Sequence, residues 1–136
     1  MTQEDKKLLL KDICARLPYG VKMNHIADSE HSPKTLIGVA KNMITLEGLG
    51  GYECVDIEDY KPYLFPLSSM TEEQKKEYNY WKHEVFVCHY EYGDVVEEIE
   101  LYDSPESFEY LIENHFDYRG LIPKGLAIDA TGLNIY

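Results

Sequence analysis

Apolar residues recur along the chain with two different spacings, and these predict both helices and strands. Residues 2–17 show the helical spacing, because their apolar positions fall on one stripe: Leu9, Leu10, Ile13, Cys14 and Leu17. Thr2 is a suitable N-cap for this helix, and Pro18 together with Gly20 ends it.

Short stretches of alternating apolar and polar residues predict strands after this helix. The alternation begins at Val21 and Met23, and residues 35–40 and 43–47 predict a hairpin that turns at Lys41-Asn42. Residues 48–51, with the sequence GLGG, predict a turn into a further strand over residues 52–57. The pattern favours a small antiparallel sheet, either open or curled like a mini-barrel.

The second half of the chain predicts two more helices and another pair of strands. A helix is expected within residues 68–81, where two overlapping capping boxes occur, Ser69 with Glu72 and Thr71 with Gln74. Residues 83–92 and 95–102 alternate as strands would, with a turn at Gly93-Asp94.

The third helix is expected to begin at Pro105, with Asp103 or Ser104 as its cap. Its inner stripe would be Phe108, Leu111, Ile112 and His115. No repeat or linker divides the chain, so we predict one α+β domain over residues 1–136. This domain would contain an N-terminal helix, a small antiparallel sheet and two further helices.

Charge narrows the classes of partner. The 136 residues include 25 Asp and Glu against 13 Lys and Arg, which gives a net charge of −12. No Lys or Arg occurs between His83 and Tyr118, and only Arg16 and Arg119 supply guanidinium groups. This distribution argues against direct nucleic-acid binding, which depends on clustered basic residues. It is typical of a solvated acidic surface or of a docking face for a basic protein.

The cysteines and the apolar runs bear on localisation. Cys14, Cys54 and Cys88 are odd in number and widely spaced, so we expect buried, free thiols in a reducing, cytoplasmic compartment. No apolar run approaches the roughly 18 residues that a membrane span requires, and the first residues do not form a signal peptide. We therefore expect no membrane association; the sequence leaves the oligomeric state open.

Few residues show the spacing of a metal-binding, cofactor-binding or catalytic site. His and Cys residues lack the spacing of metal ligands, and GLGG lacks the motif of a nucleotide-binding loop, so we expect no metal and no cofactor. Cys88 and His89 point to opposite faces of a strand and cannot act together as nucleophile and base.

One polar cluster occurs at residues 115–119, the segment HFDYR. His115, Asp117 and Arg119 could form an acid/base or ligand-contacting site. We favour a structural clasp, in which Arg119 or His115 satisfies the carbonyls at the end of the third helix and Asp117 pairs with that cation. Gly120 would then turn the chain so that the apolar segment LIPKGLAI packs on the sheet.

Three stretches carry a resemblance: ARLPYGVK, IEDYKPYLFPLSSMTEEQKKEY and FDYRGLIPKGLAID. They resemble a group of short uncharacterised proteins found in phages and other mobile elements of gut bacteria, in matching order over about a third of the chain. The chain departs from that group at Phe65, where a basic residue is expected, and in the tyrosine-rich acidic segment 84–102. The resemblance supplies no activity, but it implies a small non-enzymatic protein that binds host factors.

The leading hypothesis is a non-enzymatic accessory or inhibitory protein that engages a basic host or phage protein. Its partner-binding residues would be Tyr90, Tyr92, Glu97, Glu98, Glu100, Tyr102 and Asp103. The alternative is a small-ligand binder, for instance one that sequesters a nucleotide, through Gly48, Gly50, Gly51, His115, Asp117 and Arg119. A minor alternative is an enzyme centred on His115 and Asp117.

Overall fold

The computed structural model describes all residues, Met1–Tyr136, and has an α+β architecture, as predicted. Its chain forms two compact units, one of residues 1–69 and 112–136 and the other of residues 70–111. None of the helices is both long enough and apolar enough to cross a membrane.

The first unit opens with α1 (Gln3–Arg16). Thr2 and Asp5 form a capping box, in which the Thr2 hydroxyl accepts from the Asp5 N–H at 3.1 Å. After α1, a short 3₁₀ turn leads to Gly20, whose φ of 67° places the backbone in the left-handed region, so the helix stops there.

The first unit then contains five strands and two short C-terminal ones. They are β1 (Lys22–His25), β2 (Lys34–Ala40), β3 (Met43–Gly48), β4 (Gly51–Asp56), β5 (Tyr60–Pro66), β8 (Phe116–Asp117) and β9 (Ile128–Asp129). The strand order is β4-β3-β2-β1-β5-β8, with β9 also pairing with β5. Strands β4 and β8 end this order without pairing with each other, so the sheet is open and not a mini-barrel.

Strand β5 changes partners along its length. Its first three residues pair antiparallel with β1, whereas Tyr63 and Leu64 pair in parallel with β9. Phe65 and Pro66 pair in parallel with β8. The C-terminal segment is thereby tied into the sheet by backbone hydrogen bonds as well as by its apolar side chains.

The core of this unit lies between α1 and the sheet. Leu9 and Ile13 of α1 are fully buried with sheet residues such as Met23, Leu36 and Leu46. The predicted stripe of α1 was wrong in part, since Asp12 and Arg16 are fully buried and Cys14 is exposed. Residues 9, 13 and 16 recur at helical spacing on the buried face, and Cys14 points away from it.

The second unit contains α2 (Glu72–Trp81), β6 (His83–Glu91), β7 (Asp94–Tyr102) and most of α3 (Pro105–Glu113). Thr71 and Gln74 form the capping box of α2, whereas Ser69 donates to the Pro66 carbonyl instead of capping. Ser104 caps α3 through the Ser107 N–H at 3.0 Å, and Pro105 is the first residue of that helix, as predicted.

Strands β6 and β7 pair only with each other, as an antiparallel hairpin. The turn residues are Tyr92 and Gly93, with φ of 51° and 86°, and not Gly93 and Asp94. Two consecutive left-handed residues give a turn whose twist matches that of the strands. Asp94 is therefore the first residue of β7 and pairs with Glu91.

The inner face of α3 also differs from the predicted stripe. Ser107, Tyr110, Leu111 and Ile112 are buried, but Phe108 keeps 39% of its surface exposed. His115 lies beyond the end of the helix, and its φ of 64° places it in the left-handed region.

Candidate functional site

The predicted clasp begins where α3 ends. His115 turns the chain into β8, and both carboxylate oxygens of Asp117 then accept backbone N–H groups, from Leu121 at 2.8 Å and from Ile122 at 2.9 Å. Gly120, with φ of 72°, allows this tight turn. Asp117 therefore holds a backbone turn, and the prediction that it pairs with a cation was wrong.

Beyond this turn the chain packs against the core. Leu121 is fully buried, Leu126 is 5% exposed, and β9 follows directly. Because apolar burial of this kind stabilises by roughly 1.5–3 kcal/mol per large side chain, the segment after Gly120 makes a structural contribution to the first unit.

The cations near the clasp bind a carboxylate that the sequence did not single out. Arg16 donates to Asp12 Oδ2 from Nε at 2.8 Å and to the Phe116 carbonyl from Nη2 at 2.6 Å. Arg119 Nε lies 3.3 Å from Asp12 Oδ1, without an aligned hydrogen bond. Arg16 rather than Arg119 thus satisfies a carbonyl of β8, and two guanidinium groups share one buried carboxylate.

Sequence reasoning overlooked Asp12 and Arg16 although a signal was present. Asp and Arg four residues apart lie on the same face of a helix, and here that face also carries Leu9 and Ile13. Oppositely charged residues four positions apart on an apolar helix face indicate a buried ion pair, since an isolated charge would not be buried there.

His115 completes the clasp as a neutral ring. It stacks on Tyr136 with the ring centroids 3.7 Å apart. Burial, followed by the nearby charges of Arg16 and Lys22, lowers the pKa of His115 to about 4. The imidazole is therefore uncharged at neutral pH and a weak base, while Asp117 is already engaged by two N–H groups. These features favour the clasp over an acid/base pair.

Tyr136 is held against the sheet by its hydroxyl. Its hydroxyl donates to the Tyr63 carbonyl at 2.8 Å and accepts from the Lys22 N–H at 2.9 Å. The residue as a whole is 43% exposed, yet its hydroxyl is enclosed between these partners, and burial raises the pKa of the phenol. Tyr136 thus adds to the clasp.

The GLGG turn lies at the other end of the sheet. Gly48 and Gly51 pair at the ends of β3 and β4, and a depression of about 140 Å³ is lined by Lys34 and residues 48–53. Lys34 is ion-paired with Glu53, whose hydrogen bond raises the pKa of the lysine. Ligand pockets are typically about 300–1,000 Å³, so this depression is small, and its lysine is already paired.

The structure does not bring together the two groups of residues that were predicted to bind a small ligand. Strand β4 is at one end of the strand order and β8, which carries Asp117, is at the other. Gly48, Gly50 and Gly51 therefore do not share a site with His115, Asp117 and Arg119.

The predicted partner-binding residues all fall on or next to the β6–β7 hairpin, but they do not share one face. Tyr90 and Glu97 point to one side, Glu98, Glu100 and Tyr102 point to the other, and Tyr92 lies in the turn. Asp103 follows β7 and accepts from the Tyr78 hydroxyl at 2.5 Å and from the Ser107 hydroxyl at 3.0 Å. Its carboxylate is therefore engaged within the second unit.

The side of the hairpin that carries Tyr90 is mostly apolar, and we call it the apolar face. Its residues are Glu84, Phe86, Cys88, Tyr90, Val95, Glu97, Ile99 and Leu101. Phe86 is 73% exposed, and its cross-strand partner Ile99 is 58% exposed. The alternation was visible in the sequence, but the sequence could not show that these residues are exposed.

We call the opposite side the acidic face. It carries four carboxylates, two histidines, one tyrosine and three half-buried valines: Glu91, Asp94, Glu98, Glu100, His83, His89, Tyr102, Val85, Val87 and Val96. The Tyr102 hydroxyl donates to the Glu100 carboxylate, which raises the pKa of Tyr102. The hairpin thus combines one exposed apolar face with one acidic face.

The structure holds no group of three or more His, Cys, Asp or Glu side chains placed to bind a metal ion. All three cysteines are free and exposed, so the prediction that Cys14 and Cys88 are buried was wrong. The chain matches no protein-family model, no curated protein and no solved structure.

Proposed function

We propose that this chain is a non-enzymatic binding module and that its β6–β7 hairpin docks a basic protein. In this proposal the chain acts in the cytoplasm as an accessory or inhibitory protein of a phage or mobile element. The observation that carries the proposal is the exposed apolar face of the hairpin, set in a segment without any Lys or Arg from His83 to Tyr118.

Exposure of a contiguous apolar surface to water is unfavourable unless a partner covers that surface. Large apolar side chains that are contiguous and exposed mark interaction surfaces, and aromatic residues are enriched at the centres of such surfaces. Phe86, Tyr90, Val95 and Ile99 are each more than half exposed and share one face. A two-stranded hairpin is also only marginally stable in water, so a partner that covered this face would stabilise it.

Charge indicates the nature of the partner. The hairpin strands carry six carboxylates, Glu84, Glu91, Asp94, Glu97, Glu98 and Glu100, and no Lys or Arg. Their negative potential attracts a basic surface, speeds its approach and disfavours acidic partners such as nucleic acids. The partner is therefore a protein with apolar residues bordered by Lys or Arg.

The test compares the wild-type chain and two matched variants as baits that capture proteins from a bacterial lysate. Phe86→Thr removes an aromatic ring from the apolar face, and Tyr52→Thr removes one from β4; each residue is 73% exposed in the wild type. Threonine keeps the β-propensity in both strands. We expect a basic protein to be retained by the wild type and by Tyr52→Thr, with weaker retention at high salt, and to be lost with Phe86→Thr.

Two results would contradict the proposal. One is equal retention of the captured protein by Phe86→Thr and the wild type. The other is loss of the captured protein with Tyr52→Thr alone, which would place the binding site at the GLGG depression, because Tyr52 lines it.

A further inference from the structure

We infer that the outer edge of β7 is the docking line, and that the partner adds a basic extended segment there as a third strand. This inference rests on the proposed function and specifies how the partner binds. It starts from the pairing of the hairpin, in which β7 is hydrogen-bonded to β6 on one side and to no strand on the other.

The free edge of β7 is long and regular. Its nine residues pair with β6 in unbroken register, from His83 with Tyr102 to Glu91 with Asp94. Proteins usually protect such an edge with a proline, a bulge, a lysine or a very short strand. Strand β7, with the sequence DVVEEIELY, has no proline, no bulge and no lysine, and its charges are all carboxylates, which disfavour an acidic strand but not a basic one.

The geometry of the turn determines which backbone groups face outward. In a hairpin with a two-residue turn the pair that flanks the turn, here Glu91 and Asp94, exchanges both backbone hydrogen bonds. Every second cross-strand pair after it does the same. The other residues of β7 direct their N–H and C=O groups away from β6. These residues are Val95, Glu97, Ile99 and Leu101.

The charges favour the edge of β7 over that of β6. Strand β7 carries four carboxylates, at Asp94, Glu97, Glu98 and Glu100, against two on β6, where His83 and His89 also lie. Glu98 and Glu100 project from the same face about 7 Å apart, which is the spacing of alternate residues in any strand. Lysines or arginines at alternate positions of an added strand would therefore face both carboxylates.

The two faces of β7 together define the occupant. On the apolar face the added strand would place apolar residues beside Val95, Ile99 and Leu101, which surround the single carboxylate of Glu97. On the acidic face it would place Lys or Arg beside Glu98 and Glu100. The match is a basic amphipathic segment that alternates along its length, bound by backbone pairing in the manner of strand addition. Pairing of β7 with the β7 of a second copy does not fit, because it would place carboxylates opposite carboxylates.

The test uses the full chain and three synthetic peptides of equal length. One peptide alternates Val and Lys, the second alternates Val and Glu, and the third has the composition of the first with its lysines in one block. Amide hydrogen exchange is measured by NMR with each peptide at millimolar concentration. We expect the alternating Val/Lys peptide to slow exchange at least about 10-fold at the four outward amides of β7, since these become hydrogen-bonded.

The outward amides of β6 are the internal control. They belong to Glu84, Phe86, Cys88 and Tyr90 and should keep their exchange rates. The Val/Glu peptide and the block peptide should protect neither set. Protection of the β6 set, or no protection with any peptide, would overturn the inference and indicate that the carboxylates of β7 serve only to keep its edge unpaired.

Two proline variants test which outer edge of the hairpin binds the protein captured from the lysate. Cys88 and Glu97 are cross-strand partners, and both direct their N–H outward. Proline at either position therefore spares the hydrogen bonds within the hairpin and blocks one outer edge. We expect Glu97→Pro to abolish binding, Cys88→Pro to retain it, and Glu97→Gln to weaken it less than about 5-fold at low salt.

The outcomes separate this inference from the proposed function. If Phe86→Thr abolishes capture but Glu97→Pro does not, the hairpin binds its partner through the apolar face and the edge inference is wrong. If neither variant affects capture, both are wrong. The exchange measurements on the wild-type chain need no variant to fold, so a proline variant that misfolds does not leave the inference untested.

Discussion

The buried pair of Asp12 and Arg16 offers a sharp test of how the clasp is held. Asp12 is fully buried and accepts from Arg16 at 2.8 Å and 3.3 Å, while Arg119 lies 3.3 Å away. The substitution Asp12→Asn preserves the size of the side chain and removes its charge. It leaves the fully buried guanidinium of Arg16 without a counter-ion.

The size of the effect follows from this uncompensated charge, which is buried. Removing one partner of a buried ion pair costs about 3–5 kcal/mol, because the remaining charge stays desolvated. A typical domain has about 5–15 kcal/mol of stability in total. We therefore expect Asp12→Asn to leave the first unit close to unfolding. Glu4→Gln, an exposed change in the first turn of the same helix, should cost at most about 1 kcal/mol, because it removes only the interaction of the carboxylate with the helix dipole.

Urea unfolding followed by far-UV circular dichroism measures these differences. Trp81 is the only tryptophan and belongs to residues 70–111, so its fluorescence follows the second unit and identifies that unit's transition. A double variant, Asp12→Leu with Arg16→Met, should be more stable than Asp12→Asn, since it buries apolar groups in place of an unpaired charge. An Asp12→Asn protein within about 1 kcal/mol of wild type would refute the reasoning.

Two further predictions concern ionisation and the thiols. The pKa of His115 falls from 6.5 to about 4 on folding, so stability should be full above pH 6.5, decline as the pH falls towards 4 and then level off. The loss of stability is about 1–2 kcal/mol for a partly exposed ring. Asparagine tolerates the left-handed backbone, so His115→Asn should fold and should lose this dependence of stability on pH. Identical pH profiles for the wild type and the variant would contradict the prediction. Because Cys14, Cys54 and Cys88 are exposed, a thiol reagent should label all three in the native protein as fast as in urea; slow labelling of any one would contradict its exposure.

The sequence by itself determined the features that depend on neighbours three or four residues apart. Thr2 with Asp5 and Thr71 with Gln74 form their capping boxes within a single helical turn. Pro105 begins its helix because a proline at the first turn loses no hydrogen bond. The hairpin turns were located to within one residue, since the flanking alternation limits where the chain can reverse.

Only the tertiary structure decided which groups are covered. Asp12 and Arg16 are polar in the sequence, yet they are buried because Phe116 arrives from 100 residues away with a carbonyl for Arg16. Cys88 and Phe86 alternate as core residues do, yet both are exposed on one face of the hairpin. The physical reason is that hydrogen bonds of turns and caps form within a short segment, whereas burial depends on which distant segments pack together.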